Sequence, residues 1–427
     1  MRGSVELFEH EKVRVGEPLR VRNGSARRFT EAEHRALARF NETQGGRFFR
    51  IGHRSITATQ YVGYLEVGDL AIEILPKADR RPLRPESAPA WRHGLLEMLR
   101  AATDLRLETP HAASQRTGRA TLMELIARRF VDEVERLLRE GLAKGYRDEE
   151  SNGPTFRGKL LFPQHLRDNL VRPDRFHVRY ATFDRDILVN RILRVALGVL
   201  RGLALSPDLA ARSAACAAAF PDVRGLRVTS EILARVVLGR TTARYRDALV
   251  LARMILEQRA PELRAGEAPV FAILFDMNLL WERYVASLFR KVAGRRFDVV
   301  TQESRSLWRE PGQPSRIVRA DLVVRPRGEK RVLLVADTKW RDAPAGVPGD
   351  EELKQMFVYN ELLGAPRAVL LYPSTGPATD RAGQFAARAH PHGCETLHLG
   401  VIAGEAWSRD RMMEQIEGLL RSLSAVP

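Results

Sequence analysis

The sequence predicts a multidomain α/β protein, with a β-rich N-terminal domain, a central helical region and a C-terminal α/β domain whose mixed sheet is flanked by helices. Three observations predict this class. The chain has 427 residues, which exceeds the ~150 residues of one ordinary domain. Short β-prone runs fill its first part, long helical periodicities fill the middle, and helices alternate with strands toward the end. The predicted domains are residues 1–85, 86–265 and 266–427.

The first domain is predicted from alternating hydrophobic residues. In YVGYLEVGDLAIEILPK, residues 61–77, the apolar Leu70, Ile72 and Ile74 alternate with Ala71 and Glu73. This period of two indicates strands, which the VGD segment would join by a turn. The segment that follows, residues 78–91, is rich in Pro, Arg and Ser, and it predicts a linker or loop.

The middle region is predicted to be mostly helical. In the segment TLMELIARRFVDEVERLLREGLAKGY, apolar residues recur at helical spacing, namely Leu122, Leu125, Ile126, Phe130, Val134 and Leu137. Gly145 is predicted to cap this helix, because glycine readily takes the left-handed conformation at a helix end. The segments DILVNRILRVALGVLRGLA and RYRDALVLARMILEQRA predict two further amphipathic core helices.

Between the first two of these helices, residues 151–184 read as loop and strand. They carry Lys159, His165, Arg167 and Arg172, which are candidate contacts to DNA. A solvated basic connector explains the same residues, so the sequence leaves both interpretations open.

The composition narrows the class of partner. The formal net charge is +16 and the isoelectric point is near 10.4, which favours an anionic partner such as nucleic acid. Only eight of the 69 basic residues are lysine, and such a preference for arginine also arises from genomic base composition. The charge is therefore compatible with DNA binding without requiring it.

The composition also excludes disulfide-rich, multi-cysteine zinc, membrane-spanning and secreted proteins. Cys216 and Cys394 are the only cysteines, too few for a disulfide framework or a multi-cysteine zinc site. The apolar runs fall short of the ~20 residues of a membrane span, and the N-terminus has charges where a secretory signal needs an apolar stretch. We expect a cytoplasmic protein without a membrane partner.

The main chemical signal lies at the end of a predicted buried strand. RIVRADLVVRP and RVLLVADTKW are joined by the short loop RGEK and predict an antiparallel hairpin that brings Asp321 near Asp337. Two neighbouring carboxylates repel each other and call for a cation. Mg²⁺ prefers such oxygen ligands, and the backbone carbonyl of Thr338 would add one more. A cross-strand ion pair between Asp321 and Lys339 is the structural alternative.

Lys339 follows Asp337 by two positions, so in an extended strand both side chains point to the same face. An ammonium beside the metal would orient an attacking water or stabilise charge that develops on a phosphate. Together these residues predict a site for phosphodiester hydrolysis.

The order Asp, about fifteen residues, Asp-x-Lys resembles the motif of PD-(D/E)xK nucleases. This resemblance implies a PD-(D/E)xK nuclease-like C-terminal domain, in which a preceding helix supplies a further carboxylate, here Glu282. It also implies a polar residue near the scissile phosphate one element later, here Gln355. A surface glutamate and ordinary hydrogen bonding on a helix face are the alternatives. Trp340 and Tyr359 are expected in the core.

Several segments together resemble one family. These are VGDLAIEILPK, GLAKGYRDEESNGPTFRGKLLF, FDRDILVNRILRVAL, FDMNLLWERYV, ADLVV, VADTKW, QMFVYNELL and LLYP, which span roughly residues 60 to 375. They are similar to McrC, the nuclease subunit of the McrBC modification-dependent restriction system.

This resemblance implies a Mg²⁺-dependent DNA endonuclease subunit that acts with a McrB-like AAA+ GTPase ring on double-stranded DNA carrying a modification such as 5-methylcytosine. It also implies that residues 1 to about 265 dock to the ring and stimulate GTP hydrolysis. The chain contains no G-x-x-x-x-G-K-[ST] loop, so GTP would be bound by the partner. A non-catalytic adaptor that only grips DNA and a standalone repair nuclease are the alternative functions.

Overall fold

A computed structural model of the chain describes residues 4–21, 27–78, 88–103, 122–203, 205–257, 270–310, 312–341, 348–386 and 391–424. Within these ranges the protein has a multidomain α/β fold with mixed sheets and helices. The chain divides into two compact units, one built from Met123–Pro261 and one that combines Gly3–Leu122 with Glu262–Pro427. The segments predicted as first and third domains thus fall in the same unit, which we call the composite unit. The unit built from Met123–Pro261 is the central unit.

The N-terminal part of the composite unit is rich in short strands. Its elements are β1 (Val5–Phe8), β2 (Lys12–Arg14), β3 (Pro18–Leu19), β4 (Arg27–Arg28), α1 (Glu31–Thr43), β5 (Phe49–Gly52), β6 (Ser55–Ala58), β7 (Tyr61–Val67), β8 (Leu70–Leu75) and α2 (Ala88–Thr103). The predicted hairpin is confirmed, because β7 and β8 pair antiparallel across the VGD turn, where Gly68 takes φ +59°. Helix α1 begins at a capping box of Thr30 and Glu33.

The central unit is helical around a three-stranded sheet. Its elements are α3 (Leu122–Arg139), β9 (Gly145–Gly153), β10 (Lys159–Leu160), α4 (Phe162–Asn169), β11 (Phe176–Asp184), α5 (Leu188–Leu200), α6 (Pro207–Ala219), α7 (Ser230–Ala234) and α8 (Arg246–Glu257). The predicted cap at Gly145 is wrong. Helix α3 ends at Arg139, Gly141 takes the left-handed conformation at φ +80°, and Gly145 opens β9.

The C-terminal part of the composite unit carries the predicted alternation of helices and strands. Its elements are β12 (Val270–Asp276), α9 (Met277–Ala293), β13 (Phe297–Trp308), β14 (Arg316–Pro326), β15 (Leu334–Thr338), α10 (Asp350–Leu363), β16 (Arg367–Ser374), β17 (Ala382–Gln384), β18 (Gly393–Gly400), β19 (Ile402–Ala403), β20 (Ala406–Trp407) and α11 (Arg409–Ser424). Asp276 caps α9 by accepting from the backbone N–H groups of Asn278 and Leu279.

The sheet that carries the candidate site has the strand order β13-β14-β15-β16-β18-β17. β14 and β15 pair antiparallel, which confirms the predicted hairpin, whereas β15 and β16 run parallel and are connected through α10. The sheet is therefore mixed, as predicted. Its inner strands are aliphatic and buried, and one of its faces packs against α10 through Val335, Met356 and Leu370.

A glycine allows the first and last parts of the composite unit to share a sheet. β12 pairs antiparallel with β7 in the order β1-β8-β7-β12. At Gly63, where φ is +140°, a Cβ atom would lie 2.0 Å from the carbonyl oxygen of Ile273, so no larger residue fits without displacing the backbone. Among the residues described, no helix has the length and apolar character to cross a membrane.

Candidate active site

The two predicted aspartates meet where β14 and β15 separate. The ladder between these strands runs from Val324–Leu334 to Leu322–Ala336. One position further, the Oδ2 atom of Asp321 accepts hydrogen bonds from the backbone N–H of Thr338 at 2.9 Å and from its hydroxyl at 3.0 Å. The Asp321 side chain is therefore held by hydrogen bonds from Thr338, the residue that follows Asp337 at the end of β15.

Asp337, Lys339 and Gln355 form a connected group. The ammonium nitrogen of Lys339 lies 2.6 Å from Oδ2 of Asp337 and donates to Oε1 of Gln355 at 3.2 Å. Nε2 of Gln355, on α10, donates to Oδ1 of Asp337 at 3.0 Å and contacts the hydroxyl of Tyr359 at 2.8 Å. The crossover helix thus fixes the rotamers of the acid and the lysine at the strand end.

Glu282 approaches the aspartates from α9 through a residue that the sequence did not indicate. Nε2 of Gln302, on β13, donates to Oε1 of Glu282 at 2.5 Å and to Oδ1 of Asp321 at 3.4 Å. Gln302 has φ +56°, a left-handed backbone that a residue other than glycine adopts at a cost of about 1–3 kcal/mol. No local pattern in TQES points to this conformation.

The electrostatics of these acids reflect burial and mutual repulsion. Burial, and next the charge of Asp321, raise the pKa of Asp337 to about 6, against the opposing effect of Lys339. Burial, and next Asp321, also raise the pKa of Glu282, and Asp337 adds to that effect. The negative charges of three carboxylates therefore lie close together at one site. A bound cation would relieve their mutual repulsion.

The residues present fit Mg²⁺ in chemical type. Asp321, Asp337 and the Thr338 carbonyl offer hard oxygen atoms. Oδ2 of Asp337 is buried, and the Lys339 ammonium is the one donor near it among the residues that the structure describes. Among the described residues, no three His, Cys, Asp or Glu side chains form a ready-made metal cluster.

An aromatic cluster packs next to the residues of the site. It consists of Trp91, Trp281, Tyr284, Trp340 and Trp407, whose neighbouring rings lie 5.2 to 6.2 Å apart. Trp281 immediately precedes Glu282, and Trp340 immediately follows Lys339. Packing between these two indoles, with centroids 5.2 Å apart, fixes the backbone on both sides of the acidic group.

The predicted aromatic residues are core residues. Trp340 is buried and donates from Nε1 to Glu9 at 2.8 Å, although the two residues are 331 positions apart in sequence. Tyr359 is also buried, and its hydroxyl donates to the carbonyl of Arg319 at 2.6 Å. Through Glu9, the N-terminal part of the composite unit contacts the strand end that holds Lys339.

The four basic candidates of the middle region lie in the central unit. His165 stacks on Phe176 and contacts the Asn169 amide, and Arg167 pairs with Asp168. Lys159 and Arg172 are exposed.

A cleft of about 600 Å³ in the central unit includes Arg147, Asp184, Asp186 and Arg224 in its lining. Arg147 pairs with both Asp184 and Asp186, and Arg224 pairs with Asp186. These charges satisfy each other, so we assign the cleft no chemistry.

Comparison with known proteins gives one family. The model of the family described as McrBC 5-methylcytosine restriction system component matches residues 56–373, close to the span predicted from the sequence. No curated protein matches the chain.

Two solved structures from Thermococcus gammatolerans are similar. The first, a refined half-complex from the tetradecameric assembly of McrB AAA+ hexamers with bound McrC, contains a chain with TM-score 0.69 and 19% identity, covering 98% of this chain and 100% of that chain. The second, a cryo-EM structure of the McrBC complex, has TM-score 0.49 and 19% identity, covering 68% and 88%. The predicted resemblance is confirmed at the level of the family: the chain belongs to the McrBC 5-methylcytosine restriction system component family.

Proposed function

We propose that this chain is the DNA endonuclease subunit of a McrBC-like restriction system, with a PD-(D/E)xK nuclease site at the ends of β14 and β15. The observation that carries the proposal is the group of Asp321, Asp337 and Lys339 at one strand end. Gln355 is attached to this group by direct hydrogen bonds, and Glu282 is attached to it through the Gln302 amide. A structural ion pair needs one acid and one base. It does not need two further acids, Asp337 and Glu282, whose pKa values are raised by burial and next by the charge of Asp321.

In this proposal Asp321, Asp337 and the Thr338 carbonyl would hold Mg²⁺. When bound, the ion neutralises charge on the scissile phosphate. Lys339 stabilises negative charge that develops on the phosphate or orients the attacking water. Gln355 keeps the Lys339 ammonium beside Asp337. Glu282 adds a third carboxylate, which Gln302 keeps close to Asp321. The charges of the site activate and orient the water. The sheet, helices α9 and α10 and the aromatic cluster fix the positions of these charges.

The partner is a McrB-like AAA+ GTPase ring. The similar Thermococcus gammatolerans assembly contains McrB hexamers with bound McrC, and the likeness in fold supports the same pairing here. We assign GTP binding to the ring, and we assign docking and stimulation of GTP hydrolysis to residues 1 to about 265. The substrate is double-stranded DNA, with 5-methylcytosine as the first modification to test, in a cytoplasmic setting.

Reconstitution tests this function. The chain is mixed with its partner ring, GTP, Mg²⁺ and plasmid DNA that carries 5-methylcytosine, and each component is omitted in turn. We expect double-strand cuts only in the complete mixture. Full stimulation of GTP hydrolysis with no nick in methylated or unmethylated DNA, under any divalent metal, would instead identify an adaptor. Efficient cutting by the chain alone would identify a standalone nuclease.

A further inference from the structure

The hairpin of β13 and β14 extends past the candidate site. Beyond Gln302, residues 303–310 and 312–319 form what we call the distal arm, with Ser304 paired to Arg319 and Ser306 to Ile317. Most of its side chains are exposed, in contrast to the buried part of β14 from Leu322 to Val324. The polar run that follows FDVVTQ has no hydrophobic alternation.

The distal arm is basic and carries apolar side chains that no core covers. Residues 303–319 contain four arginines against two glutamates. Leu307, Trp308 and Ile317 are 50 to 55% exposed. Next to these exposed residues, β14 also has a buried side, where Val318 and Ala320 pack against the core under α10. This division indicates a firm ribbon with a free outer surface.

Two of the arginines are available to a ligand. Arg305 pairs with Glu303, and Arg309 donates to the hydroxyl of Ser315. Arg316 and Arg319 are exposed, and their guanidinium groups have no ion pair or hydrogen bond with any residue that the structure describes. Ser304 lies opposite Arg319 across the ladder, so a hydroxyl donor accompanies the guanidinium. Arginine and serine are frequent donors to phosphate oxygens.

The arm continues directly from the candidate site. Arg319 precedes Asp321 by two positions and Arg316 precedes it by five. At a rise of about 3.4 Å per residue, Arg316 lies roughly 17 Å along the strand from Asp321. That length corresponds to about five base pairs of duplex. A two-stranded ribbon has a width that the DNA major groove admits.

We infer that the distal arm binds the DNA duplex beside the scissile phosphate. Arg319 contacts a phosphate from the face of the ribbon that carries Asp321, and Arg316 contacts one from the opposite face, where Trp308 provides an apolar contact. The inference rests on the proposed nuclease function for the position of the cut. DNA is favoured over a second copy of the chain because two basic arms repel each other, whereas a duplex is complementary in charge.

The salt dependence of binding tests the arm. A fluorescently labelled duplex is titrated with the full chain in EDTA at several salt concentrations, and the slope of log K against log[salt] is measured. We expect the double variant Arg316→Ala with Arg319→Ala to reduce the slope by about 2, since each lost phosphate contact removes about 0.9. The matched control is Arg327→Ala with Arg331→Ala, two exposed arginines at the other end of β14, which should keep the wild-type slope.

Trp308→Ala provides an independent readout. It should weaken binding without a change in slope, because an apolar contact releases no counterions. Circular dichroism melting verifies that each variant folds. The inference is overturned if the wild-type chain shows no salt-dependent binding, if the two double variants have equal slopes, or if the arm variants alter the sedimentation of the free chain instead. Failure of the nuclease proposal is separate, because it would appear as undiminished cutting by Asp337→Ala.

Discussion

Gln302 on β13 donates a hydrogen bond to Glu282 on α9 over 2.5 Å, from a backbone that sits at φ +56°. The same amide reaches Asp321 at 3.4 Å. A strained residue that joins two acids of one site is more easily explained by function than by stability.

Replacing Gln302 should therefore separate stability from activity. Gln302→Gly removes both the strain and the amide, so we expect the free energy of unfolding to rise by about 1 kcal/mol. DNA cleavage should fall about tenfold, since a hydrogen bond to a charged group contributes about 1.5–3 kcal/mol. Gln302→Ala should lose activity without gaining stability. Urea unfolding and cleavage rates check both variants, and a fall in both stability and activity for the glycine variant would contradict the positioning role.

Lys339 should be needed for cutting because of its charge. Lys339→Met keeps the length and removes the ammonium next to Asp337, and we expect cleavage to fall about 100-fold or more. Lys354→Met, at an exposed lysine on α10, is the matched control and should cut like the wild type. Single-turnover cleavage rates decide the matter, and equal rates for the two variants would remove Lys339 from the site.

Stability should depend on pH through Glu9. Burial raises the pKa of Glu9 to about 8, far above the ordinary value of 4.5, although Lys77 and Trp340 donate hydrogen bonds to it. The folded state therefore holds the proton more tightly than the unfolded chain. Below pH 4.5 Glu9 is protonated in both states, and as pH rises from 4.5 to 8 stability falls by a few kcal/mol.

Glu9→Gln should flatten this dependence, because the amide has no proton to lose in that window. The measurement compares urea midpoints at pH 5.5 and pH 8 for wild type, Glu9→Gln and the exposed control Glu31→Gln. We expect the wild type and the control to lose stability at the higher pH and Glu9→Gln to lose much less. Parallel losses in all three proteins would show that Glu9 is not the group responsible.

Gly63 should be required for the sheet that joins β7 to β12. In Gly63→Ala the new methyl group meets the Ile273 carbonyl at φ +140°, and we expect a loss of at least about 2 kcal/mol of unfolding free energy. Gly383→Ala is the control, because a Cβ atom there meets nothing within 4 Å. Thermal melting compares the two, and similar melting temperatures would contradict the close approach.

Much of the site was predictable because its signals are local. Asp321, Asp337 and Lys339 follow from two hydrophobic strands and a short loop, which force the pairing. Glu282 and Gln355 came from the resemblance to a nuclease motif, and the structure brings both into the group.

The remaining features depend on contacts distant in sequence or on unusual backbone. Gln302 was missed because nothing in its neighbourhood predicts a left-handed residue inside a strand. Glu9 was missed because its partner Trp340 lies 331 residues away. The predicted cap at Gly145 was wrong because an earlier glycine, Gly141, adopts the left-handed conformation just after the helix ends.

The central claim is that Asp337 belongs to a cutting site and not to the machinery that stimulates the partner. The most direct measurement follows DNA cleavage and GTP hydrolysis in the same reconstituted complex with Asp337→Asn, an uncharged replacement of nearly equal size. We predict that cleavage falls by about 1,000-fold or more while the stimulated rate of GTP hydrolysis stays at the wild-type value. Cleavage at the wild-type rate by Asp337→Asn would contradict the account.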